Sequence, residues 1–130
     1  MRMATAQVRM AGLSESVHAW RLWIVAFQTL CKQKYLAEGE SVPFLIDGAE
    51  VLVLWPDGGQ PRAFVGRCPH EGQSLVNNSD FNGRVLVCTV HGWVFNGRTG
   101  EGLSPTGCRL REFPLRLTDD GRVEIDLVAA

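Results

Sequence analysis

Two short segments each place one cysteine and one histidine at close range. The first, CPH, spans residues 68–70, and the second, CTVH, spans residues 88–91, with seventeen residues between them. Together they use two of the four cysteines and two of the three histidines in the chain. Cysteine and histidine are the usual protein ligands of zinc, iron and iron–sulfur clusters. The pattern therefore predicts an inorganic site to which two loops contribute, and the chain must fold so that these loops meet.

The spacing within each pair distinguishes a single metal ion from a two-iron cluster. Structural zinc usually takes two like ligands from each loop. Cys68 and His70 are only two positions apart, which is tight for two ligands of one ion. In a [2Fe-2S] cluster with two thiolates on one iron and two imidazoles on the other, each loop supplies one ligand to each iron. The mixed pairs favour such a cluster, with a zinc-stabilised interaction domain as the alternative.

From residue 42 onward the sequence reads as short strands separated by turns. The runs VPFLI (42–46) and EVLVLW (50–55) flank Asp47-Gly48, a strong two-residue hairpin signal. Further strand-like runs follow at intervals typical of a small antiparallel sandwich or barrel; they lie at 62–66, 84–90, 92–95, 110–117 and 123–127. We expect an all-β fold in which both Cys/His pairs lie at strand ends or in loops. Residues 17–30 are ambiguous between a helix and a first strand at 22–27 followed by a helical turn.

Length and composition indicate one ordinary globular domain. The chain has 130 residues, of which 45% are hydrophobic and 21% charged, with a net charge of -1. We expect a loose N-terminal extension at 1–18 and a single domain at 19–130. The near-neutral charge gives no reason to expect a nucleic-acid partner or an anionic membrane surface.

The cysteines and the N-terminal segment together favour a cytoplasmic location. The apolar run at 17–30 is interrupted by Arg21 and is shorter than a membrane span requires. It also lacks the small-residue cleavage site of a signal peptide. In the cytoplasm cysteines stay reduced. A four-cysteine disulfide framework is disfavoured because it leaves the two paired histidines unexplained.

The two pairs resemble the ligand pattern of Rieske [2Fe-2S] proteins, and the resemblance extends over about residues 20–127. It implies a Rieske-type antiparallel sandwich or barrel with a small cluster-binding subdomain of two loops. It also implies one [2Fe-2S] cluster of the Rieske type. Carried over by position, Cys68 and Cys88 bind one iron, and His70 and His91 bind the other.

The segment at 93–117 is similar to the ferredoxin component of toluene-monooxygenase systems, in which Cys108 holds a family position without being a cluster ligand. This likeness implies an electron carrier that is not itself an enzyme. Its partners would be a flavin-containing NAD(P)H reductase and an oxygenase (hydroxylase) component acting on aromatic or other hydrocarbons. Similar segments occur in ferredoxins of ring-hydroxylating dioxygenases and in the small subunit of NAD(P)H nitrite reductase, which remain alternatives.

Residues beside the ligands also suggest the type of Rieske protein. High-potential members have an extra cysteine in each loop and a serine after the second His-Gly, whereas here the matching positions are Gln73, Val90 and Trp93. Fewer hydrogen-bond donors to the cluster sulfurs lower the reduction potential. The resemblance thus implies a low-potential cluster. The residues expected to support the site or to contact partners are Pro69, Glu71, Gly72, Gln73, Gly92 and Trp93.

Overall fold

The computed structural model describes residues 26–128, and its regular elements are almost all antiparallel strands. The only helical segment among them is a single 3-10 turn at Gln33–Tyr35. None of the helical structure in this range has the length and apolar character that a membrane crossing requires. The strands are β1 (Gln28–Lys32), β2 (Ser41–Ile46), β3 (Ala49–Leu54), β4 (Arg62–Val65), β5 (Ser79–Phe81), β6 (Val85–Cys88), β7 (Trp93–Asn96), β8 (Gly102–Ser104), β9 (Glu112–Phe113), β10 (Leu115–Leu117) and β11 (Arg122–Ile125).

The strands form three sheets, which confirms the predicted all-β antiparallel fold. The outer sheet has the order β1-β11-β10, and the central sheet has the order β2-β3-β4-β9. The site sheet is the consecutive meander β5-β6-β7-β8. Every pairing is antiparallel. The first Cys/His pair follows β4 of the central sheet, and the second connects β6 to β7 of the site sheet, so both lie in loops or at strand ends as predicted.

Strand β3 is buried on both faces and joins two hydrophobic cores. Side chains alternate across a strand, so Val51 and Val53 enter the core shared with the outer sheet. Leu52 and Leu54 enter the core shared with the site sheet. Full burial of an aliphatic side chain contributes about 1.5–3 kcal/mol. The uninterrupted apolar sequence of β3 therefore reflects a strand between two layers, and one of those layers supports the Cys/His loops.

The hairpin predicted at Asp47-Gly48 is confirmed. Strands β2 and β3 pair in register through Ile46 opposite Ala49. Asp47 and Gly48 both have positive φ, 51° and 78°. A type I′ turn requires positive φ at both central residues, which is why Asp-Gly is favoured there.

The prediction of a single strand at 110–117 is wrong, because Pro114 divides this segment into two strands. Glu112–Phe113 pairs with β4 in the central sheet, whereas Leu115–Leu117 pairs with β11 in the outer sheet. Proline has no N–H to donate to a ladder, and its carbonyl instead accepts a 3.1 Å bond from the Asp126 N–H. The chain thus crosses from one sheet to the other at this proline.

The N-terminal predictions lie mostly outside the described residues. The strand in this region begins at Gln28, and residues 26–27 precede it without regular structure. The proposed extension at 1–18, and most of the ambiguous segment at 17–30, fall before residue 26. Strands β5 and β8 are additional elements that the sequence patterns did not indicate.

Candidate metal centre

The first Cys/His loop (residues 68–73) is a tight turn closed by its own backbone. An isolated antiparallel bridge between Arg67 and Ser74 forms its base. The Cys68 N–H donates to the Gln73 carbonyl at 2.9 Å, and the Cys68 carbonyl accepts from the Gly72 N–H at 2.8 Å. These bonds set the direction in which the cysteine and histidine side chains leave the loop.

The second Cys/His loop (residues 88–93) repeats the same turn at the end of the β6–β7 hairpin. Cys88 pairs with Trp93 across the hairpin. The Cys88 carbonyl accepts from the Gly92 N–H at 2.8 Å, which matches the bond from Gly72 to Cys68. Gly72 and Gly92 both have φ of 75°, a left-handed conformation that glycine adopts without steric cost. Two loops with different Cys-to-His spacing therefore have the same Cys-to-Gly geometry.

The cysteines and histidines of these loops are placed at opposite depths. Cys68 is 1% exposed and Cys88 is fully buried, and both belong to the hydrophobic core beneath the site sheet. His70 and His91 lie at the surface. The two imidazole rings meet edge to face, with centroids 4.8 Å apart and planes at 80°. The structure thus brings together all four predicted ligand residues, with thiols inside and imidazoles outside.

The two buried thiols interact with each other. Burial raises the pKa of the Cys68 thiol, and a side-chain hydrogen bond with Cys88 and the charge of Cys88 act in the same direction. The backbone N–H of His70 bonds to the Cys68 sulfur and lowers this pKa. A buried thiol pair of this kind is stabilised as thiolates by a bound cation.

The donor set fits two metal ions better than one. Among the described residues, the potential ligand atoms of His70, Glu71 and His91 lie within 4.8 Å of one another, and neither cysteine belongs to this group. A tetrahedral zinc ion needs all four donors at about 2.0–2.3 Å from one point. A [2Fe-2S] cluster instead takes a thiolate pair on one iron and an imidazole pair on the other. The paired, separated donors fit the cluster.

Trp93 contacts both the surface and the core of this site. Its ring stacks on the imidazole of His70, with centroids 4.3 Å apart and planes 19° apart. It is half-buried and packs against the core that contains Cys68 and Cys88. Trp93 therefore links the exposed imidazole of His70 to the core that contains the two cysteines.

A third loop (residues 104–108) follows β8, after which the chain continues to β9. Cys108 lies at the end of this loop. The Cys108 thiol donates to the Pro105 carbonyl at 3.7 Å. A side chain at Gly102 would lie 2.6 Å from the Cys108 sulfur, so glycine is required where the loop folds back. Cys108 packs against the site-sheet core, and its charge acts on Cys68. Cys31 packs against the other core, and all four cysteines are free thiols.

Two residues that the sequence patterns did not single out hold the loops together. Arg67 donates to the Gly72 carbonyl and to the Glu50 carboxylate, both at 2.9 Å. The side-chain amide of Asn78 donates to the Ser74 carbonyl at 3.0 Å, and its backbone carbonyl accepts from the Thr89 N–H at 2.9 Å. For Arg67, the sequence offered one indication of a role in the site, which is its position directly before Cys68. For Asn78 the sequence offered no such indication, because its role depends on how two distant loops meet.

The remaining predicted residues lie on or beside the first loop. Pro69 and Glu71 are exposed, and Gly72 and Gln73 are half-buried. The Gln73 amide donates to the Glu71 carboxylate at 3.1 Å. The other Glu71 oxygen lies 3.8 Å from His70 Nε2. The hydrogen bond from Gln73, and then the neighbouring His70, lower the pKa of Glu71.

Comparison with known proteins agrees with this geometry. Residues 26–114 match the family model described as the Rieske [2Fe-2S] domain. The chain is 34% identical over 101 residues to the ferredoxin component of an alkene monooxygenase system from Xanthobacter autotrophicus, covering 78% of this chain and 81% of that protein.

Solved structures show the same fold. A proposed NADH-dependent nitrite reductase small subunit from Mycobacterium tuberculosis superposes with a TM-score of 0.64 and 25% identity, covering 82% of this chain and 99% of that chain. A chain from a complex of reduced oxygenase and oxidised ferredoxin in carbazole 1,9a-dioxygenase superposes with a TM-score of 0.65 and 26% identity, covering 77% of this chain and 92% of that chain. With its paired Cys/His loops, this chain belongs to the Rieske [2Fe-2S] domain family.

Proposed function

We propose that this protein is a low-potential Rieske ferredoxin, a one-electron carrier that transforms no substrate itself. It would take electrons from a flavin-containing NAD(P)H reductase and deliver them to an oxygenase (hydroxylase) component. The observation that supports this most strongly is the opposite burial of the thiols and imidazoles in two matching loops. A redox group held this way is insulated on one side and accessible on the other.

We assign the four ligands by their depth. Cys68 and Cys88 would hold the buried iron of one [2Fe-2S] cluster, and His70 and His91 would hold the outer iron. When bound, the cluster supplies a centre that accepts and releases a single electron. The core around the cysteines excludes water from the inner side, and the stacked Trp93 orients the ring of His70.

The outer surface of the two loops would be the docking surface. Pro69, His70, Val90 and His91 are exposed there, and Val90 is 42% exposed. Electron-transfer encounters use small, short-lived interfaces. A compact surface centred on two imidazole edges is sufficient for this purpose, and it would serve reductase and oxygenase in turn.

The side chains beside the loops support a low potential. Hydrogen bonds to the sulfurs raise the potential of a cluster, and their loss lowers it. The amide of Gln73 donates to Glu71, and Trp93 stacks on His70. Neither residue duplicates the cysteine or serine of high-potential members, and the Val90 side chain has no polar hydrogen to donate.

The likeness to the alkene monooxygenase ferredoxin supports the choice of an oxygenase as the electron acceptor. An aromatic or other hydrocarbon is the expected substrate class of the oxygenase.

Four free thiols, including the half-buried Cys31 and Cys108, suit a reducing compartment and support a cytoplasmic location.

The test is reconstitution with a flavin-containing NAD(P)H reductase and an oxygenase component from the same organism. We expect NADH- or NADPH-dependent oxygenation only when all three components are present, and no substrate turnover by this protein alone. Equal oxygenation with and without this protein would contradict the proposal. A control that bears serine at Cys88 should lose the stimulation, because it lacks one of the assigned ligands.

A second candidate is the Rieske subunit of an NAD(P)H nitrite reductase. The likeness to the Mycobacterium tuberculosis subunit, which the chain covers almost completely, favours this alternative. The two functions predict different association of this protein with its redox partner. A subunit would co-purify with a large flavin-containing partner at a fixed ratio, whereas a ferredoxin would elute alone on gel filtration.

A further inference from the structure

Glu71 is a carboxylate placed directly beside the redox-exposed surface. It is exposed, and one of its oxygens lies 3.8 Å from His70 Nε2. The potential ligand atoms of His70, Glu71 and His91 all lie within 4.8 Å of one another. The two histidines are assigned to the cluster, which leaves Glu71 as the member of this group without a role.

The contacts of Glu71 do not neutralise its charge. Its hydrogen-bond partner is the neutral amide of Gln73, 3.1 Å away. The nearest guanidinium along the loop, that of Arg67, bonds to Glu50 and to the Gly72 carbonyl. An exposed glutamate is ionised at neutral pH, because its ordinary pKa is about 4.3.

Apolar side chains lie beside the histidines in the described part of the docking surface. Pro69 directly precedes His70, Val90 directly precedes His91, and both are exposed. Leu103, on β8 beside the third loop, is a further exposed apolar side chain, 45% exposed. A single negative charge within such a surface has a strong influence on which partner surfaces fit, since like charges repel and opposite charges steer encounter.

We propose that Glu71 selects an oxygenase component that presents a lysine or arginine opposite it, within an otherwise apolar contact. This inference rests on the proposed electron-carrier function and names the partner chemistry of the same surface. The cationic side chain would pair with the Glu71 carboxylate in the transfer complex and thereby place the partner over the His70 edge.

The test uses two small oxidants of opposite charge with the holo-protein. Reduced wild-type and Glu71→Gln proteins are mixed anaerobically with hexaammineruthenium(III), charge +3, or ferricyanide, charge -3, and the second-order rate constants are measured. Glutamine has the same shape without the charge. At low ionic strength we expect the substitution to slow the cationic oxidant about threefold and to accelerate the anionic one about threefold. The ratio of the two rate constants should therefore fall about tenfold.

Opposite changes in the two rate constants distinguish an effect of the local charge from an effect of the driving force for electron transfer. A changed reduction potential would alter both rates in the same direction and leave their ratio almost unchanged. Asp119→Asn, in the exposed turn between β10 and β11, removes one carboxylate elsewhere and should leave the ratio at the wild-type value. High salt should abolish the Glu71 effect.

Two results would overturn the inference. If Glu71→Gln retains its cluster and its rate ratio stays within twofold of wild type, the carboxylate does not control approach, although the carrier function stands. If the wild-type cluster transfers electrons to neither oxidant, the proposed function and this inference both fail.

Discussion

The indole of Trp93 lies flat against the imidazole of His70, 4.3 Å between ring centroids, while His70 meets His91 edge-on. Trp93 begins β7 and pairs with Cys88 across the hairpin. The stack therefore joins an assigned ligand of the first loop to the strand that follows the second loop. We interpret it as the contact that sets the ring orientation of His70.

Replacing Trp93 by leucine should change the spectrum of the site as well as its stability. An aromatic pair is worth about 0.5–1.5 kcal/mol beyond its buried area. We expect Trp93→Leu to shift the g-values of the reduced protein and to speed cluster loss on heating, with Trp93→Phe close to wild type. Visible absorbance and EPR measure both effects.

Trp55 provides the matched control, because its indole N–H bonds to the Gly59 carbonyl and its ring packs against the other core. Trp55→Leu should lower the melting temperature without changing the g-values. Identical spectra for Trp93→Leu and wild type would refute the orienting role.

The two loop glycines should matter equally, and for the site in particular. Alanine at Gly72 or Gly92 would be forced into a left-handed conformation at a cost of about 1–2 kcal/mol. We expect either substitution to lower the iron bound per chain. Gly121→Ala carries the same backbone strain, with φ of 85° and open space around it, in the turn before β11. It should lower stability to a similar extent and leave the iron content unchanged; equal iron loss in all three variants would contradict the account.

The four cysteines should divide into two classes. Cys68→Ser and Cys88→Ser should abolish cluster binding, because both sulfurs are assigned ligands in the buried pair. Cys108→Ser and Cys31→Ser should retain two irons per chain by iron analysis. Cys108 is the sharper comparison, since it packs against the same core and acts electrostatically on Cys68. Loss of iron from Cys108→Ser alone would show that the ligand assignment is wrong.

The core beneath the site should be intolerant of cavities. Leu52 is 2% exposed and faces the site-sheet core, so Leu52→Ala should cost about 2–5 kcal/mol. Leu45, 75% exposed on β2, is the control, and Leu45→Ala should change the free energy of unfolding by less than about 0.5 kcal/mol. Chemical denaturation of the holo-protein distinguishes the two. Similar small losses for both would indicate a core less tightly packed than described.

Local sequence was sufficient for the features that local chemistry determines. The Asp47-Gly48 hairpin follows from turn stereochemistry, and the four assigned ligands follow from metal-ligand spacing. The interruption at Pro114 is predictable in principle, because proline interrupts a strand ladder. The sequence nevertheless indicated one continuous strand, because apolar and polar residues alternate on both sides of Pro114 as they would along a single strand.

Long-range features could not be read in this way. Asn78 links the two loops through bonds to Ser74 and Thr89, and Arg67 braces the first loop against Glu50. These contacts depend on the meeting of segments far apart in sequence. The stack of Trp93 on His70 has the same origin, since it requires both loops to be in place.

The most direct test of the central proposal is pulsed EPR of the dithionite-reduced protein after labelling its histidines with 15N. We predict a [2Fe-2S] signal with a low average g-value and couplings to two histidine nitrogens, and His70→Ala and His91→Ala should each eliminate the two-nitrogen pattern. A colourless protein that contains zinc, or a reduced cluster with no histidine nitrogen coupling, would contradict it.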